Sequence, residues 1–179
     1  MINDTNNIRT LYGKAEYCWL TEADTKFNPK GTYHVDLLVK KEDADPEIKV
    51  INQAISKKIA EEHKKGTIKT TAPLKRAPLP FEKQEDGSFI FKIKSQYKPK
   101  LWDKNQKELD PSIYVFKNST MWIKYKLNPY NQNIGLGCTL YLQNAQIDNL
   151  VQGTGGSNGS CPYPKRESAL PGPEEKALY

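Results

Sequence analysis

Histidine, cysteine and long apolar runs are all scarce in this chain of 179 residues. Its two histidines and three cysteines show no spacing typical of a metal site, so we expect neither a metal ion nor a cofactor. No apolar stretch approaches the length of a membrane span, and the first residues lack the basic and apolar regions of a signal peptide. These absences predict a cytoplasmic protein that does not act at a membrane. They also leave nucleophilic catalysis by a Ser/His or Cys/His pair without a recognisable setting.

Positive charge and aromatic rings are concentrated between residues 89 and 126. This segment holds nine lysines and three acidic residues, an excess of six that equals the formal net charge of +6 for the whole chain. Its eight aromatic residues are Phe89, Phe91, Tyr97, Trp102, Tyr114, Phe116, Trp122 and Tyr125. Lysines neutralise phosphates and release counterions, and ring faces stack on unpaired bases of any identity. The pattern indicates a surface for single-stranded nucleic acid, although lysine is also common on solvated sheet faces.

Two strands with a period of two residues account for this segment, since side chains along a strand alternate between its faces. The apolar face of the first strand, residues 89–98, consists of Phe89, Phe91, Ile93 and Tyr97. The apolar face of the second, residues 121–127, consists of Met121, Ile123, Tyr125 and Leu127. The opposite faces carry Lys92, Lys94 and Lys98 in the first strand and Trp122, Lys124 and Lys126 in the second. Each strand therefore has one side for a core and one cationic side.

The remaining elements follow from the same kind of pattern. A long strand from Arg9 is predicted to have Leu11, Gly13, Ala15, Tyr17 and Trp19 on one face and Tyr12, Lys14, Glu16 and Cys18 on the other. A second strand covers residues 33–40, and a closing strand carries Leu136, Cys138, Leu140 and Leu142 toward the core. Isoleucines at helical spacing predict an amphipathic helix over residues 46–64, with Pro46 in its first turn. Residues 67–88 are predicted to form an extended loop, and residues 128–133 a hairpin loop with Tyr130 near its tip.

Five strands and one covering helix suit a mainly β domain of OB type, a five-stranded Greek-key barrel. The helix would lie between the second and third strands, which departs from the commonest OB arrangement. We expect a flexible N-terminus over residues 1–8, the OB-fold domain over residues 9–151 and a flexible tail rich in Gly, Ser and Pro over residues 152–179.

Three stretches resemble the phage-encoded single-stranded DNA-binding proteins of the podovirus replication type. The opening hairpin of that family resembles residues 15–20 together with residues 30–39. Its inserted helix resembles residues 45–64, and its closing strand resembles residues 135–146. The resemblance covers roughly residues 9 to 151 and implies an OB fold that coats single strands in DNA replication, recombination or repair. It also implies recruitment of polymerase or helicase/primase by an acidic C-terminal tail. The tail of this chain has balanced charges and ends in Leu178 and Tyr179, which departs from that pattern.

The leading hypothesis is a non-enzymatic protein that coats single-stranded DNA with little sequence preference in an infected bacterial cell. Its candidate nucleic-acid site comprises Lys14, Lys92, Lys94, Lys98, Lys100, Trp102, Trp122, Lys124, Lys126, Tyr130 and Tyr141. A metal-dependent nuclease is an alternative, but its clustered carboxylates are missing as a tight motif. An RNA-binding protein or an interaction protein with a merely solvated lysine face is a further alternative. The sequence leaves open whether the protein forms a homodimer.

Overall fold

The computed structural model describes residues 7–69, 71 and 73–152. Within these ranges the elements are β1 (Ile8–Asp24), β2 (Thr32–Val39), α1 (Lys41–Lys64), β3 (Phe81–Lys83), β4 (Phe89–Ser95), β5 (Lys100–Trp102), β6 (Thr120–Gln132) and β7 (Gly135–Asn149). All but the last two residues of the predicted N-terminal segment, and all but the first residue of the predicted tail, lie outside the described residues. The division into these segments therefore stays a prediction.

Five of the strands close into a barrel, as the alternating pattern predicted. β1 pairs with β2 and β6, β2 pairs with β4, and β6 pairs with β7, all antiparallel. A short parallel contact between β4 and β7 completes the circle. The OB-like fold class and the position of the helix between the second and third barrel strands are confirmed. The prediction of a plain loop over residues 67–88 was wrong in part, because β3 forms there and pairs with β4.

The first strand changes partner at its corner. Residues 8–14 of β1 pair with β6, and residues 14–24 pair with β2. Gly13 lies at this corner, where a Cβ atom would stand 2.5 Å from the carbonyl oxygen of Leu38. The two backbones can therefore approach so closely only because residue 13 lacks a side chain.

A β-bulge reverses the faces of β1 beyond this corner. Ala15 is opposite Leu37 and Tyr17 is opposite Asp36, so Glu16 is the extra residue. An extra residue shifts the alternation by one position. Tyr17 is consequently exposed and Trp19 half-buried, while Leu20 is buried. The prediction that Tyr17 and Trp19 share one face with Leu11 and Ala15 was wrong for this reason.

Helix α1 is confirmed but begins at Lys41, five residues before the predicted start. Proline is best accommodated in the first turn of a helix, and this preference suggested a start at Pro46. In the structure Pro46 lies inside the helix, where it removes one backbone donor. Burial of Ala44 and Glu47 against the barrel compensates for that loss and extends the helix toward its N-terminus.

Helix and barrel are joined by a buried polar contact. The carboxylate of Glu47 accepts hydrogen bonds from Arg9 Nε at 3.0 Å and from Arg9 Nη2 at 2.6 Å. The Tyr125 hydroxyl donates to the same carboxylate at 2.5 Å from a fully buried position in β6. Burial, followed by the contact with Glu47, raises the pKa of Tyr125 far above its ordinary range. This contact sets the position of α1 relative to β6, because the Glu47 carboxylate must reach both the guanidinium of Arg9 and the hydroxyl of Tyr125.

Candidate nucleic-acid interface

The outward side chains of β2, β4 and β7 form one side of the barrel. Lys94 of β4 stands between His34 of β2 and Tyr141 of β7 in the register of the strands. Lys92, two residues away on the same face, is opposite Asp36. The neighbouring inward residues Phe91 and Ile93 are fully buried. Alternation thus places the lysines of β4 in solvent because their neighbours fill the core.

A groove crosses this side between two connections of the chain. A cleft of about 640 Å³ has Lys94 and Tyr141 on its floor, with Asn28 of the β1–β2 loop, Tyr97 after β4 and Gln132 of the β6–β7 hairpin around it. A second cleft, of about 380 Å³, shares Thr32, Lys94 and Thr139 with the first and continues to Leu79 and Ile134. We call the two clefts together the groove. OB folds usually bind oligonucleotides on their second and third barrel strands, between the loop that joins strands one and two and the loop that joins strands four and five. In this chain the two strands are β2 and β4, and the two connections are the β1–β2 loop and the β6–β7 hairpin.

The lysines of the groove differ in their surroundings. Lys94 forms no ion pair with any residue that the structure describes. Lys92 lies 3.8 Å from Glu82 and faces Asp36, whose pKa is raised chiefly by burial. Carboxylates beside Lys92 compete with a phosphate for its charge, so Lys94 is the better placed cation for a polyanion.

Aromatic side chains stand at one end of the groove because of the bulge in β1. The ring of Tyr17 lies 5.3 Å from that of His34 and 6.3 Å from that of Trp19, between centroids. His34 Nε2 is 3.1 Å from Asp24 Oδ2. The pKa of Asp24 is lowered, first by the backbone N–H of Lys26 and then by His34. These contacts hold the beginning of the β1–β2 loop beside the groove.

A second aromatic surface lies on the outward side of β1, β6, β7 and β5. Strand pairing places one side chain from each strand in a row, namely Tyr12 of β1, Trp122 of β6, Gln146 of β7 and Trp102 of β5. The next row, in the same strand order, consists of Thr10, Lys124, Asn144 and Lys100. The rings of Tyr12 and Trp122 are 5.1 Å apart, and the hydroxyl of Tyr12 donates to Asp148 at 2.9 Å. We call these two rows the tryptophan face.

The candidate residues of the sequence are therefore divided between two surfaces. Lys92, Lys94 and Tyr141 belong to the groove. Trp102, Trp122, Lys100 and Lys124 belong to the tryptophan face, with Lys126 and Lys14 at its two ends. Lys98 lines neither cleft of the groove but a further one beside Pro111, which Lys100 also borders. The candidate residues thus lie on two neighbouring surfaces, and their part in binding stays a prediction.

Tyr130 is not at the tip of a loop, contrary to the prediction. β6 extends to Gln132, so residues 128–132 belong to the strand and the turn itself is only residues 133–134. Tyr130 pairs with Gly137, and a Cβ atom on that glycine would lie 2.7 Å from the Tyr130 hydroxyl oxygen. Burial raises the pKa of Tyr130. The ring packs over Gly137 of the neighbouring strand and also lines the second cleft of the groove.

Two exposed rings near the groove were missed by the sequence patterns. Tyr97 is 82% exposed and Phe27, in the β1–β2 loop, is 87% exposed. Tyr97 was assigned to the core face because the alternation was continued past Ser95, where β4 ends. The signal that could have identified both is a large ring among polar turn residues, which has no apolar neighbours to bury it.

The β6–β7 hairpin, one wall of the groove, is anchored to the helix. Glu62 is buried and receives hydrogen bonds from Thr67 Oγ1 at 2.7 Å and Asn131 Nδ2 at 3.2 Å, with Lys58 Nζ at 2.8 Å. Lys75 Nζ donates to the carbonyl oxygen of Asn133 at 2.6 Å on the other side. These contacts position the groove wall without facing the groove themselves.

Replacing Glu62 by glutamine is expected to remove an acid-sensitive part of the stability. The hydrogen bond from Lys58, followed by those from Thr67 and Asn131, lowers the pKa of Glu62 from 4.5 to about 2. A carboxyl whose pKa is lowered by folding stabilises the protein above its unfolded pKa, and this contribution is lost as pH falls toward the folded pKa. Urea midpoints should therefore differ between wild type and variant by a constant amount above pH ~5, and converge between pH ~4.5 and ~2.

A variant with Glu61→Gln, one position away on the same helix, serves as the control. Its midpoints should follow those of the wild type over the whole range. A difference between wild type and Glu62→Gln that does not shrink in acid would contradict the assignment.

Neither metal ligands nor a membrane helix is found in the part of the chain that the structure describes. No group of three or more His, Cys, Asp or Glu residues there is arranged to hold a metal ion. No helix in residues 7–69, 71 and 73–152 combines the length and apolar character needed to cross a bilayer.

Comparisons with known proteins agree with this geometry. A family described as single-stranded DNA-binding protein of bacteriophage T7 matches residues 12–151. The crystal structure of gp2.5, a single-stranded DNA-binding protein encoded by bacteriophage T7, is 22% identical at a TM-score of 0.65, with 84% of this chain and 96% of that chain covered. The single-stranded DNA-binding protein of bacteriophage Enc34 in complex with ssDNA is 12% identical at a TM-score of 0.62, with 84% and 90% covered.

At these identities the two solved structures establish the fold alone. No curated protein matches the chain. The family match, however, spans most of the sequence and confirms the resemblance seen in the three stretches. The chain therefore belongs to the family of single-stranded DNA-binding proteins typified by that of bacteriophage T7.

Proposed function

We propose that this chain binds single-stranded DNA in the groove and coats it with little sequence preference. The observation that carries the proposal is one cleft that combines a lysine with two exposed rings. Lys94 there forms no ion pair with any described residue, and Tyr97 and Tyr141 are both exposed. Lys92 and the loop ring Phe27 would extend this surface. A polymer also needs an extended site, and the lining of the groove reaches from Asn28 in the β1–β2 loop to Ile134 in the β6–β7 turn.

The chemistry of the groove favours an unpaired strand. Ring faces can stack only on bases that are not already stacked within a duplex, and every base has such a face. Lys94 would neutralise a phosphate and release a counterion, which makes binding dependent on salt. Asn28, Gln132 and Gln143 also line the cleft and offer amide groups for hydrogen bonds. The side chain of Asn28 is already bonded within its own loop, to the carbonyl oxygen of Gly31 and the hydroxyl of Thr32. Affinity for many sequences follows from this combination.

The cellular role follows from the family to which the chain belongs. We propose action in phage DNA replication, recombination and repair in the cytoplasm of the infected bacterial cell, without enzymatic activity. Recruitment of polymerase or helicase/primase by the C-terminal tail stays a proposal, because residues 153–179 lie outside the described part of the chain. The nuclease alternative has no supporting observation, since the described residues hold no cluster of metal-type ligands.

Titration with a homopyrimidine single strand, followed by tryptophan fluorescence, tests this function. We expect quenching, and affinity that falls with salt by a log–log slope of about −0.7 per phosphate contacted. Trp19 is opposite His34, which lines the groove, and it serves as a reporter. A duplex of the same length is the control and should bind far more weakly. Equal affinity for duplex, or affinity that does not change with salt, would contradict the proposal.

A further inference from the structure

We propose that the tryptophan face is a second contact surface for single-stranded DNA, used only by strands longer than the groove can hold. This inference rests on the proposed function and extends it from one side of the barrel to two. A strand that leaves the groove past Tyr141 would continue onto β6, toward Lys124 and Trp122.

The rings of this face are available to bases. Trp122 is 48% exposed, although its neighbours Met121 and Ile123 in β6 are fully buried. Its contact with Tyr12 is tilted by 52°, so the two rings do not cover each other face to face. Trp102 stands two strands away in the same row, on the other side of Gln146. A folded protein that needed these rings only for packing would bury them, whereas a stacking platform leaves a face in solvent.

The charge of the face matches a polyanion. Its outward positions carry four lysines, namely Lys14, Lys100, Lys124 and Lys126. The two rows contain no acidic residue, and the nearby carboxylate of Asp148 accepts the hydrogen bond of Tyr12. Lys14 lies 3.6 Å from Glu16, whose carboxylate is also held by Lys117 at 2.8 Å. Alternating lysines and rings provide the two kinds of contact that a single strand needs, to phosphates and to bases.

The face is continuous with the groove. Tyr141 of β7 is beside Lys94 on one side and beside Lys126 of β6 on the other. No strand separates the two surfaces. From Lys126 to Trp122 the path follows four residues of β6, about 13 Å at the rise of a strand. A DNA strand in the groove must therefore extend by several nucleotides before it reaches Trp122, since stacked nucleotides rise about 3.4 Å each.

Dependence on oligonucleotide length tests this inference. The probes are oligothymidylates of about 5 and about 16 nucleotides, near the two ends of the range of OB-fold site sizes. Trp122→Ala is expected to weaken binding of the long probe by at least about fivefold, as loss of one stacked base does, and to leave the short probe unchanged. Lys124→Glu should act in the same way. Because it is exposed on β6, it also provides a second variant should Trp122→Ala fold poorly.

Two controls separate this inference from the proposed function. Lys57→Glu makes the same charge change on an exposed position of α1, away from both surfaces, and should leave both affinities unchanged. Tyr97→Ala in the groove should weaken binding of both probes. A folded Trp122→Ala variant with normal affinity for the long probe would overturn the second surface and leave the groove intact. Equal losses for both probes would also overturn it, because Trp122 would then belong to the primary site. No binding by the wild-type protein would instead remove the proposed function.

Discussion

Replacing Glu47 by alanine is expected to destabilise the protein by about 3 kcal/mol, because it removes one partner of a buried ion pair. The substitution strands the buried hydroxyl of Tyr125 without its acceptor and leaves Arg9 without its partner. Breaking a buried pair on one side typically costs about 3–5 kcal/mol. Because the side chain of Arg9 is 33% exposed and can return to water, the lower end of that range applies here.

Urea denaturation at neutral pH measures this effect, and two further variants locate its origin. Tyr125→Phe removes only the hydroxyl and should cost about 1 kcal/mol, as expected for one hydrogen bond. Glu61→Ala lies on the same helix, and the Glu61 side chain has no hydrogen bond or ion pair with the described residues of the barrel. It should change the unfolding free energy by less than about 0.5 kcal/mol. A Glu47→Ala protein as stable as the wild type would show that α1 is positioned by apolar packing alone.

Replacing Tyr97 by alanine is expected to weaken binding of single-stranded DNA by about 1–3 kcal/mol, the range for loss of one base–aromatic stack. The ring borders the cleft around Lys94 and is 82% exposed, so nothing in the core depends on it. Its backbone N–H donates to Ser95 Oγ at 3.0 Å, which turns the chain at the end of β4 and presents the ring to the groove. That bond survives the substitution, because it involves the backbone of residue 97.

Fluorescence titration of the variant at fixed salt measures the loss, with thermal unfolding to show that the fold is unchanged. Tyr114→Ala is a matched control, since Tyr114 is another exposed tyrosine and lies in the loop before β6, away from the groove. Its affinity should equal that of the wild type. The role assigned to Tyr97 is excluded if both variants bind equally well.

The elements of the fold were largely predictable because the hydrophobic pattern is local. Phe91 and Ile93 of β4, and Met121 and Ile123 of β6, alternate with charged or exposed residues and are all buried in the barrel. Such alternation needs no knowledge of the partner strand. The start of α1 was misplaced for the opposite reason, because contact between Glu47 and β6 outweighs the local preference of Pro46.

The candidate site was less predictable because it depends on how strands are joined. The bulge at Glu16 exchanges the two faces of β1 and brings Tyr17 beside His34, which no alternating pattern reveals. The sequence pattern assigned Tyr97 to the core face, although the residue lies two positions past the end of β4. Residues after a strand no longer follow its alternation, so their direction is set by the loop alone.

By itself the sequence determined that this chain is a mainly β domain with a cationic, aromatic segment suited to an unpaired polyanion. Composition and two-residue periodicity are sufficient for this, since they specify which side of each strand needs a core. Only the tertiary structure decided that Lys94 and Trp122 lie on different sides of the barrel, joined through Tyr141. The physical reason is that β4 and β6 each pair with β7, so closure of the barrel, and not their order in the chain, determines which side chains share a surface.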